Sequence, residues 1–127
     1  LIKIKENQYE AIGIADAAIV CSGTATLETA MLRCPMIVCY KLSWPTWILA
    51  QMLSKVKHLS LVNLIAEDRV VDEYLQNKMT AKNLASGVNN LFKNENCGVV
   101  VEKYERLIEK LKTNENPYTS AARYIYD

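Results

Sequence analysis

Apolar positions along the chain fall into two kinds of block. "AAIVC" (17–21) and "MIVCY" (36–40) are unbroken apolar runs, the pattern of parallel strands covered on both faces. Between them, Leu27, Ala30, Met31 and Cys34 follow an i, i+3, i+4, i+7 spacing. That is the single stripe of a helix from Thr24 to Arg33, ended by Pro35. Upstream, the alternating "LIKI" (1–4) predicts a short strand, and "NQYEAIGIA" (7–15) a short helix with Tyr9, Ile12 and Ile14 inward. Downstream, "WPTWILAQMLSKV" (44–56) predicts a helix with Pro45 in its first turn. "HLSLVNLI" (58–65) suggests a third short strand, and "EDRVVDEYLQNK" (67–78) a helix with Val70, Val71, Tyr74 and Leu75 inward. Thr80 is placed to cap a helix over 81–92. After a turn at 93–96, Val100, Tyr104, Leu107, Ile108 and Leu111 stripe a helix over 98–112. Asn116 and Pro117 then open a last helix over 118–126.

Strand-like and helix-like blocks alternate and then give way to helices alone. This predicts an α/β fold, a parallel sheet flanked by helices, with extra helices at the C-terminal end. Only three or four strands are visible, so the expected architecture is a partial Rossmann-like sheet, half of a domain. Residues 1–92 would form the α/β portion and 93–127 the C-terminal helices. A truncated sheet leaves an unpaired edge, which predicts a tendency to form a homodimer or exchange the terminal helices.

Composition changes this picture little. The chain has 127 residues, enough for one modest core. A formal net charge of +1 gives no argument for nucleic acid as a partner. Four cysteines without C-x-x-C spacing and a single histidine, His58, argue against a zinc site. Three of the cysteines stand in apolar surroundings and read as buried thiols in a reducing compartment. The N-terminal stretch has no apolar core of a secretion signal, and no apolar run approaches the roughly 20 residues of a membrane span. A start at Leu1 suggests a piece of a longer protein.

The candidate chemistry lies in "CSGTATLET" (21–29). A strand ending in Ser22-Gly23 and feeding a helix aims unpaired N–H groups, at the positive end of the helix dipole, into the crevice beyond the strand. Ser22, Thr24 and Thr26 add hydroxyls, and Gly23 permits close approach to the main chain. The arrangement suits an anion such as phosphate, while Glu28, one turn on, suits the two hydroxyls of a ribose. The plainer reading makes Ser22 or Thr24 an N-cap and Glu28 a complement to the dipole; spacing alone leans toward it. Neither a P-loop nor a G-x-G-x-x-G fingerprint is present.

"ADAAIVCSGTATLETAMLRCPMIVCYKLS" followed by "LSLVNLIAEDRVVDEYLQ" resembles the lipid-A-disaccharide synthase family, over roughly residues 7–92. That resemblance implies half of the C-terminal, donor-binding domain of an inverting glycosyltransferase of the two-domain GT-B fold. It implies transfer of a sugar from UDP-2,3-diacylglucosamine to 2,3-diacylglucosamine 1-phosphate, with UDP leaving. Ser22, Gly23 and Thr24 would face the pyrophosphate, with Thr26 behind them and Glu28 on the ribose. Asn63 would line the crevice at a neighbouring strand end, Glu73 and Gln76 would come from the following helix, and Tyr40-Lys41 matches the family's Tyr-Arg pair. The catalytic base and acceptor site would belong to the other domain, so no catalytic residue, metal or cofactor is expected here. The implied setting is the bacterial cytoplasm, peripheral on the inner membrane. Two departures stand out: Val62 replaces a proline, and Glu67-Asp68 replaces Gly-Arg, which puts acid near the expected anionic ligand.

Other stretches carry weaker signals. Trp44 and Trp47 could mark a membrane-interface surface, while Ile48, Leu49, Met52 and Leu53 read as a core helix covering the sheet. His58 reads as a surface or capping residue. Two other classes stay open: another GT-B UDP-sugar enzyme, transferase or 2-epimerase, and a non-catalytic assembly module.

Overall fold

The computed structural model describes residues 2–21, 23–53, 58–93 and 96–113; Ser22 and the expected helix over 118–126 lie outside them. Three strands, β1 (Ala18–Val20), β2 (Met36–Tyr40) and β3 (Asp72–Leu75), form one parallel sheet in the order β1-β2-β3. The register runs Ala18 to Met36 through Val20 to Val38, then Ile37 to Asp72 through Tyr40 to Leu75. Six helices accompany them among the described residues: α1 (Gln8–Gly13), α2 (Gly23–Met31), α3 (Trp44–Leu53), α4 (Leu61–Ala66), α5 (Ala81–Leu91) and α6 (Asn96–Thr113). The partial Rossmann-like architecture read from the apolar blocks is therefore present.

One face of the sheet carries the main core. Val20, Met36 and Val38 pack there against Ala30 of α2, Val62 of α4, Val70 and Val71 before β3, and Tyr104 and Leu107 of α6. The stripe expected on the last of these helices thus faces inward. The other face is crossed by α5, where Gly87 lets the Tyr74 ring of β3 lie against the helix; a Cβ at 87 would meet the Tyr74 hydroxyl oxygen at 2.6 Å. Thr80 caps α5 as expected, its hydroxyl accepting from the Asn83 amide.

Several expectations are overturned. Residues 2–4 join no sheet and are exposed. Tyr9 and Ile14, expected inward, are exposed. Residues 61–66 form α4 rather than a strand: the Ser60 side chain accepts from the Asn63 amide and caps the helix. The third strand comes later, at Asp72–Leu75, inside the stretch expected to be helical. In α2 the buried face is Thr26, Thr29 and Ala30, while Met31 is exposed. The two threonines are tolerated because their hydroxyls donate back to the carbonyls of Gly23 and Ala25. On α3, Ile48, Leu49 and Met52 lie on the surface rather than in the core, Met52 at 81% exposure, and Trp44, whose place was left open, is exposed too. Cys21 is exposed, against its expected burial.

The Glu67-Asp68 departure is also repositioned. Glu67 ends α4 at φ 56, a left-handed conformation that glycine adopts without steric cost. Both residues enter β3 from its amino end, where Asp68 lies 3.8 Å from Lys103 of α6. The strand carboxyl ends lie at the opposite edge of the sheet, so this acidic pair does not border the crevice there.

Candidate functional site

The crevice at the strand carboxyl ends is built from three chain segments. β1 leads through Cys21 into α2, whose first residue is Gly23. Tyr40 ends β2, and its hydroxyl lies 3.6 Å from where a Cβ on Gly23 would stand. Leu61, the first residue of α4, closes the third side, its side chain 3.8 Å from the same point. A bare main chain thus faces a phenol at the N-terminus of a nine-residue helix. Burial, then the negative charge of Glu73 and the nearby thiols, push the Tyr40 phenol up, so it remains an O–H donor.

The other predicted residues serve this edge in different ways. Thr24 is exposed beside Gly23, whereas Thr26 is fully buried and holds the Gly23 carbonyl. Glu28 is half-buried and accepts a hydrogen bond from the Tyr9 hydroxyl at 3.2 Å, tying α1 to α2. Gln76 stands in a short 3-10 helix (Gln76–Lys78) just past β3, at φ 49. Its side-chain amide donates to the Leu42 carbonyl at 3.0 Å and accepts from the Leu42 amide at 3.1 Å, pinning the segment that follows Tyr40-Lys41.

Asn63 and Glu73 form a second group. Asn63 is fully buried in α4, not at a strand end. Its carbonyl oxygen accepts from the Val70 and Val71 amides, and its amide nitrogen donates to the Val71 carbonyl and to Glu73 Oε1, all within 2.8–2.9 Å. Glu73 lies on β3, not on a helix, and accepts from the amides of Leu59 and Ser60 at the start of α4. Burial pushes its carboxyl upward, but the Ser60 and Leu59 amides, the Ser60 hydroxyl and Asn63 outweigh this and hold it below its ordinary value. These two side chains line a cleft of about 220 Å³ along β3 with His58, Arg69 and Lys78. His58 is half-buried there. Tyr40 links the two groups through its electrostatic contact with Glu73.

Sequence reasoning missed Ser60 and Tyr9, which orient Glu73 and Glu28. Ser60, a residue type favoured at the N-cap and standing just ahead of the apolar run from Leu61, was the available signal. No local pattern announced Tyr9, because its partner lies 19 positions away. Among the described residues no group of acidic, cysteine or histidine side chains could hold a metal ion, and no helix is long and apolar enough to cross a membrane.

Parallel strands, flanking helices and a crevice opened by a glycine at a helix N-terminus define a Rossmann-like α/β unit. A family model described as lipid-A-disaccharide synthetase matches residues 1–125. The chain belongs to that family. It is similar to the lipid-A-disaccharide synthase of Blochmanniella pennsylvanica (strain BPEN), 34% identical over 118 residues, which is 92% of this chain and 30% of the relative. The enzyme of that name from Anaeromyxobacter sp. (strain K) is 44% identical over 82 residues, 65% of this chain and 21% of the relative. That from Dechloromonas aromatica (strain RCB) is 34% identical over 122 residues, 95% and 31% of the two chains. This chain therefore spans from 21% to 31% of the length of these three relatives.

Proposed function

We propose that this chain is the donor-binding part of a lipid-A-disaccharide synthase, a glycosyltransferase that joins two acylated glucosamines with release of UDP. The observation that carries the reading is the bare N-terminus of α2 at Gly23 facing the Tyr40 phenol, at the strand carboxyl ends of a chain that belongs to this family. The UDP pyrophosphate would take hydrogen bonds from the main-chain N–H groups of Ser22, Gly23 and Thr24, from the Ser22 and Thr24 hydroxyls and from the Tyr40 phenol. As the sugar–phosphate bond breaks, negative charge grows on the leaving UDP. Donors already fixed at that point, with the helix dipole behind them, stabilise it without reorganisation. Thr26 shapes the turn from behind. Glu28 would accept from the ribose hydroxyls, exchanging or sharing its bond from Tyr9. Asn63, Glu73 and Gln76 hold the surrounding segments in register.

On this reading residues 1–92 carry the donor site and the helices of 93–127 support it. The donor is UDP-2,3-diacylglucosamine and the acceptor 2,3-diacylglucosamine 1-phosphate. The base that activates the acceptor lies outside this chain, so the chain alone binds UDP without turning over. The exposed apolar side chains of α3, Trp44 at 70% among them, support a peripheral seat on the cytoplasmic face of the inner membrane. The position of β1 at the edge of the sheet, unpaired on its outer side among the described residues, supports a homodimer.

The reading is tested by titrating UDP into the isotopically labelled chain. Amide signals from Gly23 to Glu28 and at Tyr40 should move together at up to millimolar nucleotide. No movement there would sink the reading, and an equal response to inorganic phosphate alone would reduce the site to a general anion seat.

A further inference from the structure

We propose that Cys21 and Cys39 form a redox pair that closes into an intrachain disulfide beneath the Gly23 turn. Their sulfurs lie 3.1 Å apart, one at the end of β1 and the other on β2. They stand one step beyond the Val20–Val38 pair of the parallel register, so both side chains leave the same face of the sheet. Neighbouring strands run about 4.7–4.9 Å apart, inside the roughly 4.4–6.8 Å separation of α-carbons that a disulfide spans. The sulfurs need to approach by only about another 1 Å to reach bonding distance.

The other two cysteines are placed differently. Cys34 donates to the carbonyls of Ala15 and Pro35, and Cys97 to that of Leu91. Of the close pair, Cys21 is exposed and Cys39 buried. Burial, with the hydrogen bond and charge of Cys21, pushes the Cys39 thiol up to about 11, which keeps it protonated near neutrality. Cys21 is therefore the sulfur that meets an oxidant first.

With a hydroperoxide as oxidant the steps balance. The Cys21 thiol gives up its proton and its sulfur attacks one peroxide oxygen; the O–O bond breaks, and the departing oxygen takes up that proton, so a sulfenic acid and one water (or alcohol) result. The Cys39 sulfur, losing its proton, then attacks the sulfenic sulfur; the S–O bond breaks and water leaves. Two thiols are oxidised and one peroxide is reduced. Such a bond draws the end of β1 toward β2 and narrows the space between Gly23 and the Tyr40 hydroxyl. Oxidation should then weaken nucleotide binding severalfold and dithiothreitol should restore it, a consequence that rests on the function proposed above.

The test treats the folded chain with hydrogen peroxide in modest excess, counts thiols and maps peptides. The expected result is loss of two of the four thiols, a peptide joining Cys21 to Cys39, and full recovery with dithiothreitol. Retention of all four thiols, a bridge between other cysteines, or oxidation of Cys21 to sulfinic acid without a bridge would overturn the proposal. Mapping needs no variant. Cys21→Ser, at an exposed position, serves as a folded control that should lose no thiols to a bridge. UDP titration of the reduced chain tests the nucleotide reading separately: a bridge that forms in a chain indifferent to UDP leaves the redox pair standing and removes only its consequence.

Discussion

Asn63 concentrates more of the local order than any side chain visible in the motif itself. It is fully buried, and its four hydrogen bonds join α4 to the entry of β3. Asn63→Ala removes them all; the Val70 amide keeps its bond to the Asp68 carbonyl, but the Val71 amide and carbonyl and Glu73 each lose this partner, so unfolding in urea should show a loss of about 2–4 kcal/mol. Glu73 behaves as the counter-anion of α4. Its carboxyl is held below its ordinary value of 4.5, so its contribution is complete above that pH and drains away as acid protonates the folded form. Glu73→Gln should cost about 1–3 kcal/mol at pH 7 and flatten the decline in stability as the pH falls below 4.5. An unchanged acid limb in that variant would assign the decline to other carboxylates. Neither role could be read locally: Asn63 and Glu73 are ten positions apart, and only the fold brings them together.

The elements show why part of the fold was legible and part was not. β2 was bounded correctly from its sequence alone, because an apolar run closed by Pro35 and Lys41 leaves one interpretation for a strand covered on both sides. The helices α5 and α6 were visible through a cap and a long stripe. The stretch from 58 to 78 was inverted, helix for strand, because its elements are only six and four residues long. At that length both periods fit the same apolar positions, and pairing with β2 decides. The crevice was half legible: Gly23 announced itself, while the meeting with Tyr40 depends on strand order. The packing of α5 makes a sharper test at this scale. Gly87→Ala gains helix propensity but drives a methyl group into the Tyr74 ring, so it should destabilise by about 1–2 kcal/mol in thermal or urea unfolding. Tyr74→Phe in the same background should recover part of the loss, since the closest contact is with the hydroxyl oxygen.

At the scale of the whole molecule, the apolar surface is unevenly covered. Among the described residues β1 pairs on one side only; Ile19 on it is 49% exposed, and Met31 is also exposed. On α3, Trp44, Ile48, Leu49 and Met52 are uncovered as well. Such surface associates in water. Sedimentation of the isolated chain should show a mass that rises with concentration across the micromolar range, and Ile19→Lys should shift the distribution toward monomer. A single monomeric species at high concentration would count against both the open edge and the homodimer.

The clasp between Gln76 and Leu42 has a consequence for motion. Because one side-chain amide holds both polar groups of a residue outside any strand, the segments after β2 and β3 cannot loosen independently. The Leu42 N–H exchanges its hydrogen with solvent only when Gln76 lets go, so its exchange rate is a gauge of both segments at once. In deuterated water this amide should exchange slowly despite its position past the strand end, and Gln76→Ala should abolish that protection while leaving the amides inside β2 slow.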